Sequence, residues 1–328
     1  MTEGEGAPSR SGLRPLALAV PLVALACSAC ALFATRAWAL ELVASFRWQE
    51  AVVCTVLSVV LLLLRRDRAA LVTFASALHL AWPVLAVVVP QRTAMRADDR
   101  TTFTVANANV LFSNPEYEAF RAWVRAEHPD LLAVDEVMPE WRRALDDLRE
   151  FYPHHLVCPD PIGGPTPFGF GIALYSRFPL KNARERMVVE GALPLLEADV
   201  VVGTRRVHVV AMHPPAPHGT WLWEIRNRYL EGAPALIARD TPVVVLADMN
   251  TSSGSPVFAR FLAATGLVDS RCGFGRLATW RTDTALRGLW VDLDHVLVSP
   301  EVSVLARGVS TIPGSDHLAA TATLALGP

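Results

Sequence analysis

Cysteine is scarce in this chain, and no strongly basic run is present. Five cysteines occur in 328 residues. Cys27, Cys30 and Cys54 fall in apolar segments, where a thiol behaves as a small hydrophobe. The Cys27-x-x-Cys30 spacing has no histidine or second cysteine pair nearby, which argues against a zinc or dithiol site. Cys158 and Cys272 lie far apart in the more polar remainder, and a disulfide between them requires an oxidising compartment. From Thr101 onward, 20 Lys and Arg stand against 25 Asp and Glu, a net charge near -5. That balance argues against tight non-specific binding of nucleic acid. No segment repeats at a solenoid period. A small transporter is excluded by too few long apolar runs and by the lack of charge pairs within them.

What the chain has in surplus is apolar residues. They make up 52% of the sequence, and the mean hydropathy is +0.31. The first hundred residues carry the excess. Residues 1–12 form a polar tail. Residues 13–92 read as a membrane anchor of about three transmembrane helices, over 13–35, 51–64 and 69–90, with residues 36–50 as an interfacial loop. Residues 93–100 are a charged linker, and residues 101–328 can bury a sizeable core of their own. The arginine counts on the two sides of the anchor are even, five against five. The tight Arg65, Arg66 and Arg68 cluster between two spans tips the expectation towards a cytoplasmic amino terminus and an extracytoplasmic carboxy-terminal domain.

Within that domain the organising stretch is residues 242–255, P-V-V-V-L-A-D-M-N-T-S-S-G-S. Residues 243–247 are wholly apolar and rich in β-branched side chains, as in a buried strand. The run ends in Asp248 and Asn250, which share one side of an extended chain. Further strands are expected over 102–108, 131–134, 172–176, 195–202, 205–212, 292–298, 303–309 and 318–326. The 195–212 pair reads as a hairpin about Gly203-Thr204. Helices are expected over 139–150, 224–238 and 256–264, and from an Asn114-Pro115-Glu116 start to about His128.

Polar residues recur where these strands end: Asn109, Glu136, His213, Asp248, Asn250, Asp294 and Asp316-His317. Together they describe one rim carrying a site. Carboxylate and amide oxygens are hard ligands, suited to Mg2+, Mn2+ or Ca2+, whereas zinc calls for more His and Cys. Histidine beside aspartate suits contact with a phosphate oxygen. The set fits phosphoester hydrolysis by a metal and an activated water.

In order, A-N-A-N-V, L-L-A-V-D-E-V, H-P-P, A-D-M-N-T, D-L-D-H-V-L-V and G-S-D-H-L resemble the endonuclease/exonuclease/phosphatase superfamily, in its membrane-attached bacterial branch. The resemblance covers residues 102–326. It implies an α/β fold, a four-layer β-sandwich flanked by helices. It further implies Glu136 as principal metal ligand with Asn109 beside it, Asp248 as the base for the attacking water, and Asn250 on a phosphate oxygen. Asp294 fills the acidic position of the late strand. Asp316 would orient His317 against the scissile phosphate, and His213 would contact phosphate or protonate the leaving group. Asn107 rivals Asn109 for the first asparagine, His295 faces away from the site, and Arg226 reads as half of a surface salt bridge. The partners implied are a phosphoester substrate, either a lipid head group or nucleic acid, and a lipid bilayer. The alternative class is a non-catalytic membrane-tethered binding module of the same fold.

Overall fold

The structure is a computed structural model and describes residues 14–85, 87–88, 101–158, 170–189, 193–238, 240–281 and 289–327. The polar tail 1–12, the linker 93–100 and most of the Gly/Pro loop 163–171 lie outside the described residues. The chain divides into two compact units, the first made of residues up to Leu85 together with Gly254–Pro256, the second of the remainder.

The first unit is helical: α1 (Arg14–Leu32), a 3-10 turn (Ala34–Arg36), α2 (Trp38–Ala44), α3 (Arg47–Leu63) and α4 (Asp67–Leu85). Among the described residues, two helices, over Pro15–Leu32 and Asp67–Leu85, are long and apolar enough to cross a membrane; α2 and α3 pass that test only together, bent by 60°. The interfacial loop expected over 36–50 is therefore largely helix. Its W-A-L-E-L-V-A core contains neither Gly nor Pro and consists mostly of good helix formers. The basic turn stands where expected. Arg65 takes a left-handed φ of 56° and closes α3, and Ser58 ties α3 to the Ala70 carbonyl of α4 at 2.9 Å.

The second unit runs β1 (Thr101–Asn109), α5 (Tyr117–Glu127), β2 (Leu131–Asp135), α6 (Pro139–Leu145), β3 (His154–Cys158), β4 (Ile172–Ser176), β5 (Lys181–Val189), β6 (Leu193–Val202), β7 (Arg205–Met212), α7 (Thr220–Gly232), β8 (Val243–Asp248), α8 (Pro256–Thr265), β9 (Val268–Asp269), β10 (Trp280–Arg281), β11 (Trp290–Val291), β12 (Asp294–Val298), β13 (Val302–Thr311) and β14 (Leu318–Leu326). Two six-stranded mixed sheets result, in the orders β13-β14-β1-β2-β4-β3 and β5-β6-β7-β8-β12-β9, with β10 and β11 as a separate ribbon. Their inner faces interdigitate through Phe103, Val105, Leu131, Ala133, Val244, Leu246, Val296 and Leu324. The outer face of the first sheet packs on Phe120, Trp123 and Trp141, and that of the second on Leu222, Tyr229, Phe258 and Phe261. This is the four-layer sandwich. Central strands buried on both faces explain the unbroken apolar runs of β2 and β8.

Several boundaries differ from expectation. Residues 146–150 form a 3-10 turn, not the end of an α-helix. The helix α5 begins only at Tyr117 and has no side-chain cap. Asn114 instead turns inward: its amide donates to the carbonyls of Val110 and Pro313, both at 2.9 Å, and its Oδ1 accepts the Glu116 N–H at 3.0 Å. It braces the 313–315 loop, where Gly314 has φ +75° and any Cβ would collide with the Asn114 carboxamide. Strands β3 and β5 have no apolar alternation to mark them. They are sheet edges, and β5 carries the charged, exposed K-N-A-R-E-R that discourages pairing with other chains. Cys158 is buried at the end of β3 and Cys272 lies beyond β9; no disulfide joins them.

One buried ion cluster pins the loops beside β8 and β12. Arg271 donates through Nε to Asp269 Oδ1 at 3.1 Å and through Nη1 to Asp292, while Asp292 Oδ2 also accepts the Ser253 N–H at 3.0 Å. Burial opposes charge on both carboxylates, but Arg271 outweighs it and holds each below its usual range. Arg271→Met leaves two buried carboxylates uncompensated and is expected to cost about 3–5 kcal/mol at neutral pH. In the wild type the cluster's contribution is present above the unfolded carboxylate pKa of about 4 and is lost as the pH falls below it. Chemical denaturation followed by tryptophan fluorescence measures both; an unchanged midpoint in the variant at neutral pH refutes the assignment.

Candidate active site

The register of the sandwich gathers the polar residues. The strands β1 and β2 run parallel, and Asn109 pairs with Asp135. The strands β8 and β12 run antiparallel, and Asp294 pairs with Asp248. On these strands the inward positions are apolar except at the rim, where they are Asn107 and Asn109 on β1, Asp135 at the end of β2, Asp248 at the end of β8 and Asp294 at the start of β12. All five are buried. At the start of β14, His317 meets them from the first sheet.

Asn109 stands between the sheets. Its Nδ2 donates to Glu136 Oε1 and to Asp248 Oδ2, both at 2.9 Å, and its Oδ1 accepts the Leu111 N–H at 2.9 Å. Glu136 is partly exposed, and its Oε2 accepts the Phe112 N–H at 2.7 Å. A left-handed φ of 65° at Glu136 swings its side chain off the strand and towards the rim. Such a conformation costs a β-carbon residue of order 1–3 kcal/mol and persists where the surroundings dictate it. Asn250 also has a positive φ, 48°, which closes a turn in which its N–H donates to Asp248 Oδ1 at 2.9 Å. Its amide donates to the Pro214 carbonyl at 3.0 Å, fixing the H-P-P segment that carries His213. The His213 Nε2 lies 3.9 Å from Asp248 Oδ2.

The histidine His317 is oriented by Asp294. Its Nδ1 lies 2.8 Å from Asp294 Oδ2 and 3.8 Å from Asp248 Oδ2. The expectation that Asp316 orients it is corrected. Asp316 points away and accepts the Trp280 Nε1–H at 2.9 Å, because successive side chains of an extended segment face opposite ways. The surface reading of Arg226 is corrected too: the guanidinium is buried and donates to the Asn250 carbonyl at 3.1 Å. His295 faces away as expected, bonded to the Thr251 carbonyl at 2.9 Å and stacked on Phe258 at 4.4 Å. Asn107 lies one pleat below Asn109, bonded to Asp135 and Asp294.

Three residues escaped the sequence reading. Asp135 looks like the last strand residue before Glu136. Ser315 donates to the Asn109 carbonyl at 2.8 Å and accepts the His317 N–H at 3.0 Å, joining two motifs. Thr279 Oγ1 accepts the Asp294 N–H at 3.0 Å. The aspartate and the serine lay within the motifs L-L-A-V-D-E-V and G-S-D-H-L, but their partners were not visible from spacing, and the threonine lay in no motif.

Electrostatically the site is crowded with carboxylates. Burial, with Asn109 and the Phe112 N–H working against it, pushes Glu136 up to about 7. Burial and the nearby Asp294 raise Asp248; burial and the nearby Asp248 and Asp294 raise Asp135. Burial disfavours charge on both histidines but with opposite outcomes. At His317 the carboxylates of Asp294 and Asp248 overcome it and push the imidazole up to about 10, whereas His213 stays lowered. The atoms of Asp248, Asp294 and His317 that could hold a metal lie within 4.8 Å of one another. The Nδ1 of His317 already serves Asp294, so the hard oxygen donors of the carboxylates are the natural ligands for a cation.

The chain belongs to the Endonuclease/Exonuclease/phosphatase family, whose profile matches residues 106–317. No curated protein matches it. Among solved structures it is similar to an endonuclease/exonuclease/phosphatase from Beutenbergia cavernae DSM 12333, with a TM-score of 0.58 and 22% identity over 69% of this chain and 72% of that one. It is also similar to D. rerio TDP2, solved with a single-strand DNA product, with a TM-score of 0.57 and 14% identity over 68% and 99% of the two chains. The human Nocturnin catalytic domain, solved with a bound sulfate anion, follows with a TM-score of 0.53 and 18% identity over 70% and 96%. At these identities the likeness is one of fold.

The dyad makes its own prediction. In the metal-free protein the His317 imidazole is expected to stay protonated well above the ordinary histidine range, and Asp294→Asn is expected to return it towards that range. An NMR titration of the histidine side chains checks this; a His317 that titrates normally in the wild type refutes the arrangement.

Proposed function

We propose that the protein is a membrane-anchored, divalent-metal-dependent phosphoesterase, a phosphodiesterase in its natural reaction, that hydrolyses a P–O bond by attack of water. The observation that carries the reading is the Asn109 bridge, which draws Glu136 and Asp248 together beside the Asp294–His317 dyad. Family membership supports hydrolysis of phosphoesters. Glu136 and Asn109 would hold the cation, Mg2+ or else Mn2+ or Ca2+. Their fit rests on hard oxygen donors and on carboxylates crowded enough for burial to raise them. When bound, such an ion supplies positive charge to a phosphate on which negative charge develops.

The chain's own residues take the remaining roles. Asp248, held at both oxygens by N–H donors, accepts the proton of the attacking water. Asn250 presents its side chain to a phosphate oxygen. His317 offers a charged N–H to the scissile phosphate, aimed by Asp294, while Asp316 secures the segment through Trp280. His213, kept neutral by burial, offers a second, uncharged N–H to the phosphate or leaving group. The substrate is assigned to phosphoesters of lipid head groups ahead of nucleic acid, because the domain's charge near -5 lacks cationic contacts for a polyanion.

Residues 13–92 form the membrane anchor, with three spans if α2 and α3 cross as one, and residues 101–328 the catalytic domain. With the arginine counts even, the tight Arg65, Arg66 and Arg68 cluster between two spans favours the extracytoplasmic side for that domain.

Hydrolysis of bis-p-nitrophenyl phosphate by the full-length chain in detergent is expected with magnesium and lost with EDTA. Glu136→Gln should lose most activity and regain part of it at high magnesium. Asp248→Asn should lower turnover about 100-fold or more with metal binding kept. Wild-type turnover in either variant removes that residue from the site, and EDTA-resistant activity removes the metal. Alkaline phosphatase fused after Pro328 is expected to be active; an inactive fusion alongside a fluorescent cytoplasmic one reverses the topology.

A further inference from the structure

Strand β1 repeats its own device one level deeper. Asn107 and Asn109 lie two residues apart, so their side chains leave the same face about 7 Å apart along the strand. Asn109 bridges Glu136 of the first sheet to Asp248 of the second. Asn107, fully buried, makes the corresponding bridge below it: its Nδ2 donates to Asp135 Oδ2 at 2.8 Å and to Asp294 Oδ1 at 3.1 Å. The amide has two hydrogens, and each is committed to a different sheet.

The consequence falls on Asp294. A carboxylate turns freely about its last torsion, whose preference is broad. Here its two oxygens are allotted: Oδ1 accepts from Asn107 and Oδ2 faces His317 Nδ1 at 2.8 Å. Removing the amide frees the carboxylate plane and with it the direction of the imidazole. Stability does not account for the pair. The neighbouring inward positions, Val105, Leu131 and Ala133, are apolar, and apolar residues of similar volume commonly replace buried polar pairs without loss.

We propose that Asn107 and Asp135 are positioning residues of the phosphoesterase site, fixing the carboxylate of Asp294 and thereby the aim of His317. The proposal rests on the function given above for what is being positioned, but the geometry can be read without turnover.

The test uses the full-length chain in detergent with 15N-labelled histidine and the variants Asn107→Leu and Asp135→Leu. In the wild type the Nδ1–H of His317, assigned by its loss in His317→Gln, is expected as a downfield, slowly exchanging proton. In both variants it should move upfield and exchange faster. With magnesium, kcat should fall about 10- to 100-fold, the usual effect of removing a partner behind a site group, with KM little changed. Asp135→Asn, which keeps an acceptor for the amide, should lose less than Asp135→Leu, and the double leucine variant no more than the worse single one. A folded Asn107→Leu protein with the wild-type His317 resonance overturns the proposal. If Asn107→Leu does not fold, Asn107→Ser is read in the same way, and a wild-type resonance there overturns it equally. Absence of any phosphoester hydrolysis by the wild type would sink the functional reading alone, because the proton resonance still decides the positioning.

Discussion

Two carboxamides on one strand hold the chemical end of this sandwich together. Sheets packed face to face are joined by dispersion and by the hydrophobic effect, neither of which is directional. Those forces bring β1 opposite β8 and β12 without fixing the sheets to the fraction of an ångström that a site needs. Asn107 and Asn109 add direction. Each spends both amide hydrogens on carboxylates from opposite sheets, so the separation of Glu136 from Asp248, and of Asp135 from Asp294, is set by hydrogen bonds. An amide suits this place better than a charged donor. It satisfies two acceptors, brings no charge of its own to be desolvated, and leaves the carboxylates' charge for a ligand.

Around that tie the backbone is bent in ways only a buried framework sustains. Glu136 and Asn250 both take left-handed φ, and each is gripped at once: Glu136 by Asn109 and the Phe112 N–H, Asn250 by Arg226, Pro214 and Asp248. Arg226 shows how the outer layer reaches the site. It comes from α7, on the far side of the second sheet, yet it ends on the carbonyl of the turn that presents Asp248 and Asn250.

The sequence made the layers legible because the central strands are buried on both faces, which leaves runs such as 243–247 little alternative. It also placed the strand ends, since a polar residue closing such a run must find a partner or a ligand. What it hid follows from what spacing can encode. The edge strand β5 is charged by function, to stay unpaired, and so looks like loop. Asp316 beside His317 suggested a couple, but neighbours on an extended chain face apart; the true partner, Asp294, is 23 residues away in sequence and in the other sheet. Arg226 sits among polar residues on a helix, where only the tertiary fold decides that it is buried. Asp135 was masked by Glu136, because the break in direction between them is a backbone angle rather than a residue type.

The distribution of charge separates what the fold needs from what the site needs. At β9 and the loops beside it, one guanidinium is shared by two carboxylates, every partner is buried, and both acids are held in their charged form. At the rim between the two sheets, Asp135, Glu136, Asp248 and Asp294 face one imidazolium. There burial and mutual repulsion push Asp135, Glu136 and Asp248 up instead. A chain optimised for stability alone would set a guanidinium against those acids, as Arg271 stands against Asp269 and Asp292, or fill that end with apolar residues. Leaving it short of positive charge means that any cation accepted there stabilises the native state in proportion to its binding. The affinity proposed for a cation and the cost of these acids to the fold would therefore have one source.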